Sequence, residues 1–537
     1  MKKLLALLPL ALLALSCIAP DSFTVKMLPG ECWWGALDNP SSWRLSEVPY
    51  SFPFDGATSI EADFRSDNYS NNCVPFLVSG KGRYIWSDEP FKLTVKDGTI
   101  VLEGSGSVEM KEAGTTLREA YLAASAAHFP PSGAIPPEEF MAAPQYNTWI
   151  ELIYNQNQAD ILRYASDIVS NGFPTGAVFM VDDNWQKYYG NFEFKPERFP
   201  DPKGMIDRLH GMGFKVMFWI CPFVSPDSPE FRELRQMGAL VMDAVEDRPA
   251  VVQWWNGFSA VLDMSNPVAC EWLSGKLRGM QAEYGVDGFK FDAGDASNYT
   301  PDKVRVHDGK SYGQEHTALW CRFGLDFPYN EFRASWKTAG QPAVMRLCDK
   351  KYAWDAVASL VPAMINASME GHIYVCPDMI GGGEFTSFLN LAQDDIDQEN
   401  IVRSCQIHAV MPMMQFSVAP WRILSKENLE ICRQAAWLHV KLGPYLLEQA
   451  RNGAVSGEPI VRPMDYAFPG QGFGSCTDQY MLGERYLVAP MLTPGTEREV
   501  RLPLGNWQDE AGHVYEGGRT YTLEVPLDHI PMFVQMP

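Results

Sequence analysis

The most constraining feature of this sequence is a series of apolar, strand-like runs that alternate with helix-like segments between residues 143 and 453. Such alternation is typical of parallel βαβ units, in which a helix returns the chain to the same edge of the sheet. Eight candidate strands can be placed, which is the number that a closed (β/α)₈ barrel requires. They are Thr148–Leu152, Ala177–Asp182, Val216–Ile220, Gly288–Asp292, Glu331–Ser335, Ala343–Leu347, Ile373–Asp378 and Met411–Phe416. The sequence therefore predicts an α/β fold built on a TIM barrel.

In the segments on either side of the barrel, short β-rich runs alternate with turns. Before the barrel, β-rich runs such as Phe91–Val95 and Ile100–Leu102 flank turn residues such as Asp97-Gly98, which is typical of an antiparallel sandwich. A Pro-rich stretch then indicates a linker. Short strands and turns return near the C-terminus. We therefore predict an N-terminal β-sandwich over residues 18–142, a catalytic barrel over 143–453 and a C-terminal β-sandwich domain over 454–537.

The first residues predict export. The charged start Met1-Lys2-Lys3 and the apolar run after it match a signal peptide over residues 1–17, and Ser16-Cys17 resembles a bacterial lipoprotein signal. We expect an exported protein, a periplasmic or outer-surface lipoprotein of a bacterium with a lipid on Cys17. No later apolar run is long enough to span a bilayer, so this lipid is the predicted membrane attachment. The oligomeric state is left open.

Composition excludes several kinds of partner. The net charge of -22, without a Lys/Arg cluster, argues against nucleic acid. A neutral substrate fits better, and the 16 tryptophans suit stacking on sugar rings. Neither Cys-x-x-Cys nor His-Glu-x-x-His occurs, so no metal site is expected. Among the cysteines after Cys17, Cys32 and Cys73 are the favoured disulfide pair.

Carboxylates cluster at the C-terminal ends of the predicted strands, where a TIM barrel carries its chemistry. They are Asp182, Asp183, Asp292, Asp295, Asp349 and Asp378. A helix N-cap or a satisfied turn would explain each one alone. Bringing these like charges together on one rim costs electrostatic energy. Such a cluster therefore indicates a functional site. Hydrolysis of a glycosidic bond needs two carboxyl groups, one to attack the sugar or activate water and one to protonate the leaving oxygen.

The stretch from Val286 to Asp295 is the most informative in the chain. Because side chains alternate along a strand, Lys290 and Asp292 share one face of it. A lysine beside a carboxylate favours the ionised form, which is the state that a nucleophile needs. A buried structural salt bridge is the alternative interpretation.

The segment Lys290-Phe-Asp-Ala-Gly-Asp295 resembles the nucleophile motif of glycoside hydrolase family 31. It is most similar to the branch of the myogenesis-regulating glycosidase and its bacterial relatives, whose motif reads Lys-Phe-Asp-Ala-Gly-Glu. The resemblance implies that Asp292 is the nucleophile. It also implies that Asp349 is the acid/base, because Trp354 follows it at the family's spacing. Asp295 replaces the branch's Glu, which leaves the role of that carboxylate open.

Other segments resemble the family's sugar-binding positions. Asp182, in Val-Asp-Asp-Asn-Trp185, resembles the residue that holds the outer hydroxyls of the bound sugar, and Asp378, in Pro-Asp-Met-Ile-Gly-Gly, is expected to contact sugar hydroxyls. The substrate-binding residues that the resemblance implies are Asp182, Asp183, Trp219, Trp254, Trp255, Lys290, Arg333, Arg346 and Asp378.

The resemblance implies a retaining, exo-acting α-glycoside hydrolase that acts on an oligosaccharide or glycoside without a metal or organic cofactor. Many family members carry a sugar-binding His near the eighth strand, where this sequence has Ser417-Val-Ala-Pro-Trp421, which weakens an α-glucosidase assignment. The branch favours an α-galactosidase, and an α-glucosidase or α-xylosidase is the alternative. A non-catalytic surface glycan-binding protein is an alternative of another class. A metal-dependent hydrolase using Asp182 and Asp183 is a further one, disfavoured by the lack of nearby His.

Overall fold

The chain forms three regions, seen in a computed structural model. The structure describes residues 22–37, 52–65, 72–104, 106–309, 313–389, 391 and 395–537. The predicted signal peptide and the lipidation site Cys17 lie outside the described residues. Within these ranges, no helix has the length and apolar character that a membrane span requires.

The N-terminal region is a β-sandwich of two antiparallel sheets. Its strands are β1 (Ser22–Lys26), β2 (Trp33–Leu37), β3 (Ile60–Asp63), β4 (Asn72–Ser79), β5 (Arg83–Ser87), β6 (Lys92–Lys96), β7 (Thr99–Glu103) and β8 (Val108–Glu112). One sheet has the order β1-β7-β6-β3, and the other contains β2, β4, β5 and β8. Asp97 and Gly98, with φ of 48° and 65°, close the hairpin between β6 and β7. This confirms the predicted turn, because such hairpins need residues that tolerate positive φ.

The favoured disulfide between Cys32 and Cys73 does not form. Cys73 lies opposite Leu37 at one end of the β2–β4 ladder, whereas the Cys32 carbonyl accepts a hydrogen bond from the Gly80 N–H at the other end. Since each strand residue adds about 3.3 Å, the ladder separates the two cysteines by roughly 20 Å. A disulfide needs Cα atoms within about 7 Å, so this prediction is wrong.

The middle region contains the barrel. Its strands are β9 (Gln145–Asn147), β10 (Val178–Val181), β11 (Lys215–Ile220), β12 (Phe223–Val224), β13 (Met242–Asp243), β14 (Val252–Trp254), β15 (Gly257–Val261), β16 (Gly288–Phe291), β17 (Val304–Arg305), β18 (Tyr329–Phe332), β19 (Ser335–Trp336), β20 (Met345–Arg346), β21 (Val375–Cys376) and β22 (Gln415–Phe416). Eight of them form a parallel sheet in the order β21-β20-β18-β16-β11-β10-β9-β22. The Ile380 N–H donates to the Gln415 carbonyl at 2.9 Å and links the two end strands. The predicted TIM barrel is confirmed.

Helices surround this sheet and connect it to its neighbours. They are α1 (Leu117–His128), α2 (Glu139–Ala142), α3 (Trp149–Leu152), α4 (Gln158–Ser170), α5 (Pro202–Gly211), α6 (Pro229–Met237), α7 (Pro267–Tyr284), α8 (Gly313–Gly324), α9 (Trp354–Met369), α10 (Gln398–Ala409), α11 (Pro420–Ile423), α12 (Lys426–Ser456) and α13 (Met464–Ala467). Their ends follow local chemistry. The Asn266 side chain caps α7 by accepting from the Val268 N–H, and Gly285 ends that helix in a left-handed conformation.

The first barrel strand differs from its prediction. The run Thr148–Leu152 was predicted as a strand, but Trp149–Leu152 is the helix α3, and the strand is Gln145–Asn147. The Asn147 side chain accepts a hydrogen bond from the Trp149 N–H at 2.8 Å, and this turn ends the strand. The other seven predicted runs each overlap the strand observed there.

The barrel also extends the N-terminal sandwich. Strand β19 begins three residues after β18 ends and pairs in parallel with β4, so that Ser335 lies opposite Asn72. Arg333 therefore lies between a barrel strand and a strand of the N-terminal sheet. Its backbone is restrained from both sides.

The C-terminal region is a second β-domain. Its strands are β23 (Val461–Pro463), β24 (Tyr480–Leu482), β25 (Tyr486–Val488), β26 (Glu497–Leu502), β27 (Asn506–Asp509), β28 (Val514–Glu516), β29 (Arg519–Glu524) and β30 (Met532–Gln535). Six form the sheet β23-β24-β25-β30-β27-β28, and β26 pairs with β29. Buried side chains of both sheets, including Val500, Trp507 and Phe533, share one core.

One buried arginine joins this domain to the barrel. Arg403 of α10 donates to the carbonyl oxygens of Gly495, Val525, Pro526 and His529 at 3.0 to 3.3 Å. The bond to the Val525 carbonyl is buried, and the other three bonds are partly buried.

Replacing Arg403 by Met is expected to lower the free energy of unfolding by about 3 kcal/mol, because one buried and three partly buried carbonyls lose a charged donor. A thermal melt followed by circular dichroism measures the change. The control is Arg163→Met on α4, an exposed arginine whose loss should cost less than about 0.5 kcal/mol. Equal melting temperatures for the two variants would show that Arg403 does not hold the domains together.

Candidate active site

A cavity of about 660 Å³ opens at the C-terminal ends of the parallel strands. This is the end at which TIM barrels carry their chemistry. The site residues predicted from the sequence all line it, with the exception of Asp378. Those that do are Asp182, Asp183, Trp219, Trp254, Trp255, Lys290, Asp292, Arg333, Arg346 and Asp349.

Asp292 follows β16 directly and is held by fixed partners. Trp219 Nε1 donates to Asp292 Oδ2 at 2.5 Å, and the Ala293 N–H donates to Asp292 Oδ1 at 2.8 Å. Arg333 Nε lies 3.7 Å from Oδ1, and Lys290 Nζ lies 3.9 Å from Oδ2. Burial alone would raise the pKa of Asp292, but the positive charges of Lys290 and Arg333 outweigh it and bring the pKa below 3.8. The carboxylate is therefore ionised and oriented, as a nucleophile must be.

Lys290 makes its closer ion pair with Asp182 on the neighbouring part of the rim. Lys290 Nζ donates to Asp182 Oδ2 at 2.8 Å, and both side chains are almost completely buried. The backbone N–H of Asp182 donates to Thr148 Oγ1 at 3.0 Å. Lys290 thus forms a buried salt bridge with Asp182, and both partners also face the cavity.

Asp349 lies on the loop after β20. Arg346 Nη1 donates to Asp349 Oδ1 at 2.6 Å. Burial would raise the pKa of Asp349, but the charges of Arg346 and Arg333 dominate and lower it to about 2. Asp349 is therefore ionised at neutral pH in this arrangement. A general acid must carry a proton, so this ion pair constrains any reaction in which Asp349 is the acid.

The structure places Asp378 beside, and not in, the lining of the cavity. Its side chain is completely buried and does not line the cavity. It accepts hydrogen bonds from Arg346 Nη1 at 3.1 Å and from the backbone N–H groups of Lys350 and Gly383 at 2.7 and 3.2 Å. In this arrangement Asp378 contacts Arg346, which also holds Asp349.

Asp183 anchors the hairpin formed by β14 and β15. Its Oδ2 accepts from Asn256 Nδ2 at 2.8 Å and from the Tyr189 hydroxyl at 3.2 Å. The Tyr154 hydroxyl donates to Asn256 Oδ1 at 2.8 Å, which completes the clamp on the hairpin tip. The same tip carries Trp255, whose half-exposed ring lies 5.0 Å from the guanidinium carbon of Arg333. Asp183 thus shapes the cavity wall beside Trp255.

Several lining residues were not predicted from the sequence. Trp149 Nε1 donates to the Gly383 carbonyl at 3.0 Å, and its ring packs edge-on against Tyr154 and Phe385, each at 5.3 Å. Gln253, Ser297, Asn298, Lys351, Glu384 and Thr386 also line the cavity. Trp149 was predicted to lie in a strand, and the others belong to short strands, turns and loops in which the sequence shows no recognisable motif. Asp295 lies 3.4 Å from Arg333 Nε, which gives this departure from the branch motif a cationic partner.

Carboxylates of the cavity pair with lysine and arginine side chains. Within the part of the chain that the structure describes, no group of three His, Cys, Asp or Glu side chains could hold a metal ion. Asp182 pairs with Lys290, and Asp349 pairs with Arg346. The chemistry that these side chains themselves supply is nucleophilic attack and proton transfer.

The burial of Asp183 predicts a pH-dependent stability. Burial, followed by the charge of Asp182, raises the pKa of Asp183 from 3.8 to about 7. Between these values the folded chain keeps a proton that the unfolded chain has lost, so this group's contribution to stability falls as pH rises. Relative to wild type, Asp183→Asn is expected to gain stability from pH 4 to 7, by at most about 1.4 kcal/mol per pH unit.

Chemical denaturation at several pH values measures this difference. Asp207→Asn, at an exposed aspartate on α5, is the control and should give a difference that does not change with pH. If the difference in unfolding free energy between Asp183→Asn and wild type also did not change with pH, Asp183 would be ionised throughout this range.

Comparisons with known proteins agree with this architecture. Residues 135–449 match the model of the glycosyl hydrolases family 31 TIM-barrel domain, and residues 457–536 match that of the glycosyl hydrolase family 31 C-terminal domain. The chain is 33% identical over 413 residues to the myogenesis-regulating glycosidase of Mus musculus, a match that covers 75% of this chain and 57% of that protein. It is 26% identical over 524 residues to an alpha-xylosidase of Emericella nidulans, covering 90% of this chain and 63% of the relative.

A solved structure shares the fold. The GH31 dextranase of Flavobacterium johnsoniae, complexed with glucose, superposes with a TM-score of 0.83 at 20% identity, over 96% of this chain and 66% of that one. The chain spans less than two thirds of the length of both relatives named above. Because the matched family model covers more than half of the chain and includes every strand of the barrel, the chain belongs to glycoside hydrolase family 31.

Proposed function

We propose that this protein is a retaining, exo-acting α-glycoside hydrolase that removes a terminal α-linked sugar from an oligosaccharide or glycoside. The observation that carries the proposal is the convergence of Asp292 and Asp349, from the ends of two different strands, on one cavity. Arg333 lies beside Asp292 and contributes to the low pKa of Asp349, which places both carboxylates in one electrostatic environment. Two carboxyl groups at one sugar are what this reaction requires.

In the proposed first step, a carboxylate oxygen of Asp292 attacks the anomeric carbon, and the glycosidic C–O bond breaks. Asp349 gives its proton to the departing oxygen. In the second step, water attacks the same carbon, Asp349 takes the water's proton, and the ester bond to Asp292 breaks. Two inversions at one carbon retain the α configuration.

The remaining lining residues have roles that follow from their positions. Lys290 and Asp182 offer charged hydrogen-bonding groups to the cavity, and Trp219 fixes Asp292. Trp255, held beside Arg333, offers an open ring face on which a sugar can stack.

We further propose that the preferred sugar is an α-galactoside. The motif around Asp292 and the absence of a His near the eighth strand support this choice, and α-glucosidase or α-xylosidase activity is the alternative. A glycan-binding protein without turnover is the alternative of another class, and the preformed ionised Asp292 disfavours it. We also propose export as a lipoprotein through Cys17, on the evidence of the N-terminal sequence alone.

Asp292→Asn is expected to keep the fold and to lower kcat by more than about 10⁴-fold, because an amide cannot form the glycosyl ester. Activity on an aryl α-glycoside, with circular dichroism as the folding control, measures this. Residual turnover within tenfold of wild type would remove Asp292 from the nucleophile role.

Asp349→Ala is expected to slow cleavage of a disaccharide by about 10² to 10⁴-fold, because its leaving oxygen needs protonation. An activated aryl glycoside should form the glycosyl-enzyme more readily, and azide should restore turnover and yield an α-glycosyl azide. Product analysis by NMR identifies the anomer. Equal losses on both substrates without azide rescue would contradict the acid/base assignment.

An aryl α-galactoside is expected to be cleaved with a higher kcat/KM than the matching α-glucoside and α-xyloside. A panel with one common leaving group measures this, since the leaving group's contribution then cancels. A preference of about tenfold for the glucoside, which is about 1.4 kcal/mol of transition-state binding, would instead identify an α-glucosidase.

A further inference from the structure

Asp378 and Asp349 share one nitrogen of Arg346. Arg346 Nη1 donates to Asp349 Oδ1 at 2.6 Å and lies 3.1 Å from Asp378 Oδ1. The guanidinium is almost completely buried, and Asp378 is completely buried behind it. Arg346 therefore separates a carboxylate that lines the cavity from one that does not.

We propose that Asp378 is a positioning residue that controls the location and protonation of Asp349 through Arg346, without touching substrate. The proposal rests on the acid/base role proposed above for Asp349. It replaces the sugar contact that the sequence led us to expect of Asp378.

The backbone contacts of Asp378 fix the loop that carries Asp349. Asp378 Oδ2 accepts from the N–H of Lys350, which directly follows Asp349, at 2.7 Å, and from the N–H of Gly383 at 3.2 Å. A Cβ atom on Gly383 would lie 2.6 Å from Asp349 Oδ1 and 2.9 Å from Asp378 Oδ1. The two carboxylates and the glycine loop are therefore packed so closely that a displacement of Asp378 moves Asp349.

The charges around Arg346 explain why a second carboxylate matters. Besides Asp349 and Asp378, Glu331 of β18 faces Arg346, with Oε1 3.5 Å from Nε. One guanidinium cannot neutralise three carboxylates fully. Because Asp378 competes for Nη1, Arg346 holds the charged form of Asp349 less strongly than it would alone. Loss of the negative charge of Asp378 would therefore lower the pKa of Asp349 further.

Other charged groups also face these two carboxylates. Asp349 is influenced by Arg346 on β20, Arg333 after β18 and Lys290 on β16. Asp378 is influenced by Lys350, Asp349 and Arg346, and burial raises its pKa to about 6. All three cations around Asp349 favour its ionised form, so a negative charge on Asp378 is a counterweight to them.

A leaving-group series separates this role from a sugar contact. In Asp378→Asn, kcat/KM for a phenyl α-glycoside should fall by about 10²-fold or more, whereas that for the dinitrophenyl glycoside, whose leaving oxygen needs no proton, should change by less than about threefold. Asp182→Asn, at a carboxylate that lines the cavity, is the matched control and should lower both values by a similar factor.

The pH profile gives a second readout. Removing the negative charge of Asp378 lets Arg346 hold Asp349 ionised more strongly. The alkaline limb of kcat/KM for the phenyl glycoside should therefore move to lower pH in Asp378→Asn. A purely structural defect would lower the whole profile without moving the limb. An unmoved limb, near-wild-type activity, or equal losses on both glycosides would overturn the proposal.

A second variant keeps the proposal falsifiable if Asp378→Asn does not fold, as judged by circular dichroism. Gly383→Ala adds a methyl group against both carboxylates without removing a charge, and it should reproduce the selective loss on the phenyl glycoside. If Gly383→Ala lowered kcat/KM for the phenyl glycoside and for the dinitrophenyl glycoside by the same factor, the proposal would be overturned. A wild-type protein that cleaves no α-glycoside would instead overturn the proposed function, and the two failures are therefore distinguishable.

Discussion

The structure depends on the pairing of charges that are buried at the mouth of the barrel. An isolated charge taken out of water costs several kcal/mol, so each buried cation requires close carboxylates and each buried carboxylate requires donors. Lys290, Arg333 and Arg346 supply the positive charge, and each is shared by at least two carboxylates within 4 Å. This sharing fixes the carboxylates relative to one another, because moving one of them changes the balance at all of its neighbours. The cavity is thus preorganised by electrostatics as much as by packing.

The flanking domains serve the same arrangement. Arg333 is placed between β18 of the barrel and β19, which continues the N-terminal sheet by pairing with β4. The hairpin of β14 and β15 brings Trp255 against that arginine, and Asp183 holds the hairpin through Asn256. At the opposite side, Arg403 secures the C-terminal domain with a buried guanidinium that reaches backbone carbonyls. The barrel alone would leave Arg333 with fewer restraints, so the N-terminal sandwich is part of the active-site architecture.

Much of the barrel and of the candidate site could be predicted from the sequence. The alternation of strands with helices and the carboxylates at strand ends are both local patterns. Side chains that alternate on β16 place Lys290 and Asp292 on one face whatever the neighbours do. The wrong disulfide prediction and the unforeseen placement of Asp378 outside the cavity lining both depend on relations between distant segments. Cys32 and Cys73 belong to adjacent strands, but their register places them at opposite ends of the ladder. Asp378 follows a strand as predicted, yet whether it faces the cavity depends on Arg346 and on the loop at Gly383. Phe385 and Asn298 line the cavity from short irregular segments. Such segments have no regular spacing of apolar residues, so the sequence does not predict their position.

The two proposed catalytic carboxylates are held by different kinds of partner, and this difference suits their two tasks. Asp292 has fixed donors in Trp219 and a backbone N–H, so its charge and direction persist until it forms the ester. Asp349 is held chiefly by Arg346, which Asp378 and Glu331 share. While Asp292 is ionised, its negative charge makes ionisation of Asp349 less favourable than it is once Asp292 has become an ester. When Asp292 becomes an ester that opposing charge disappears, Arg333 is left with a stronger influence on Asp349, and the carboxylate form is favoured. The same charges therefore suit Asp349 to act as the base at the step in which water has to be deprotonated.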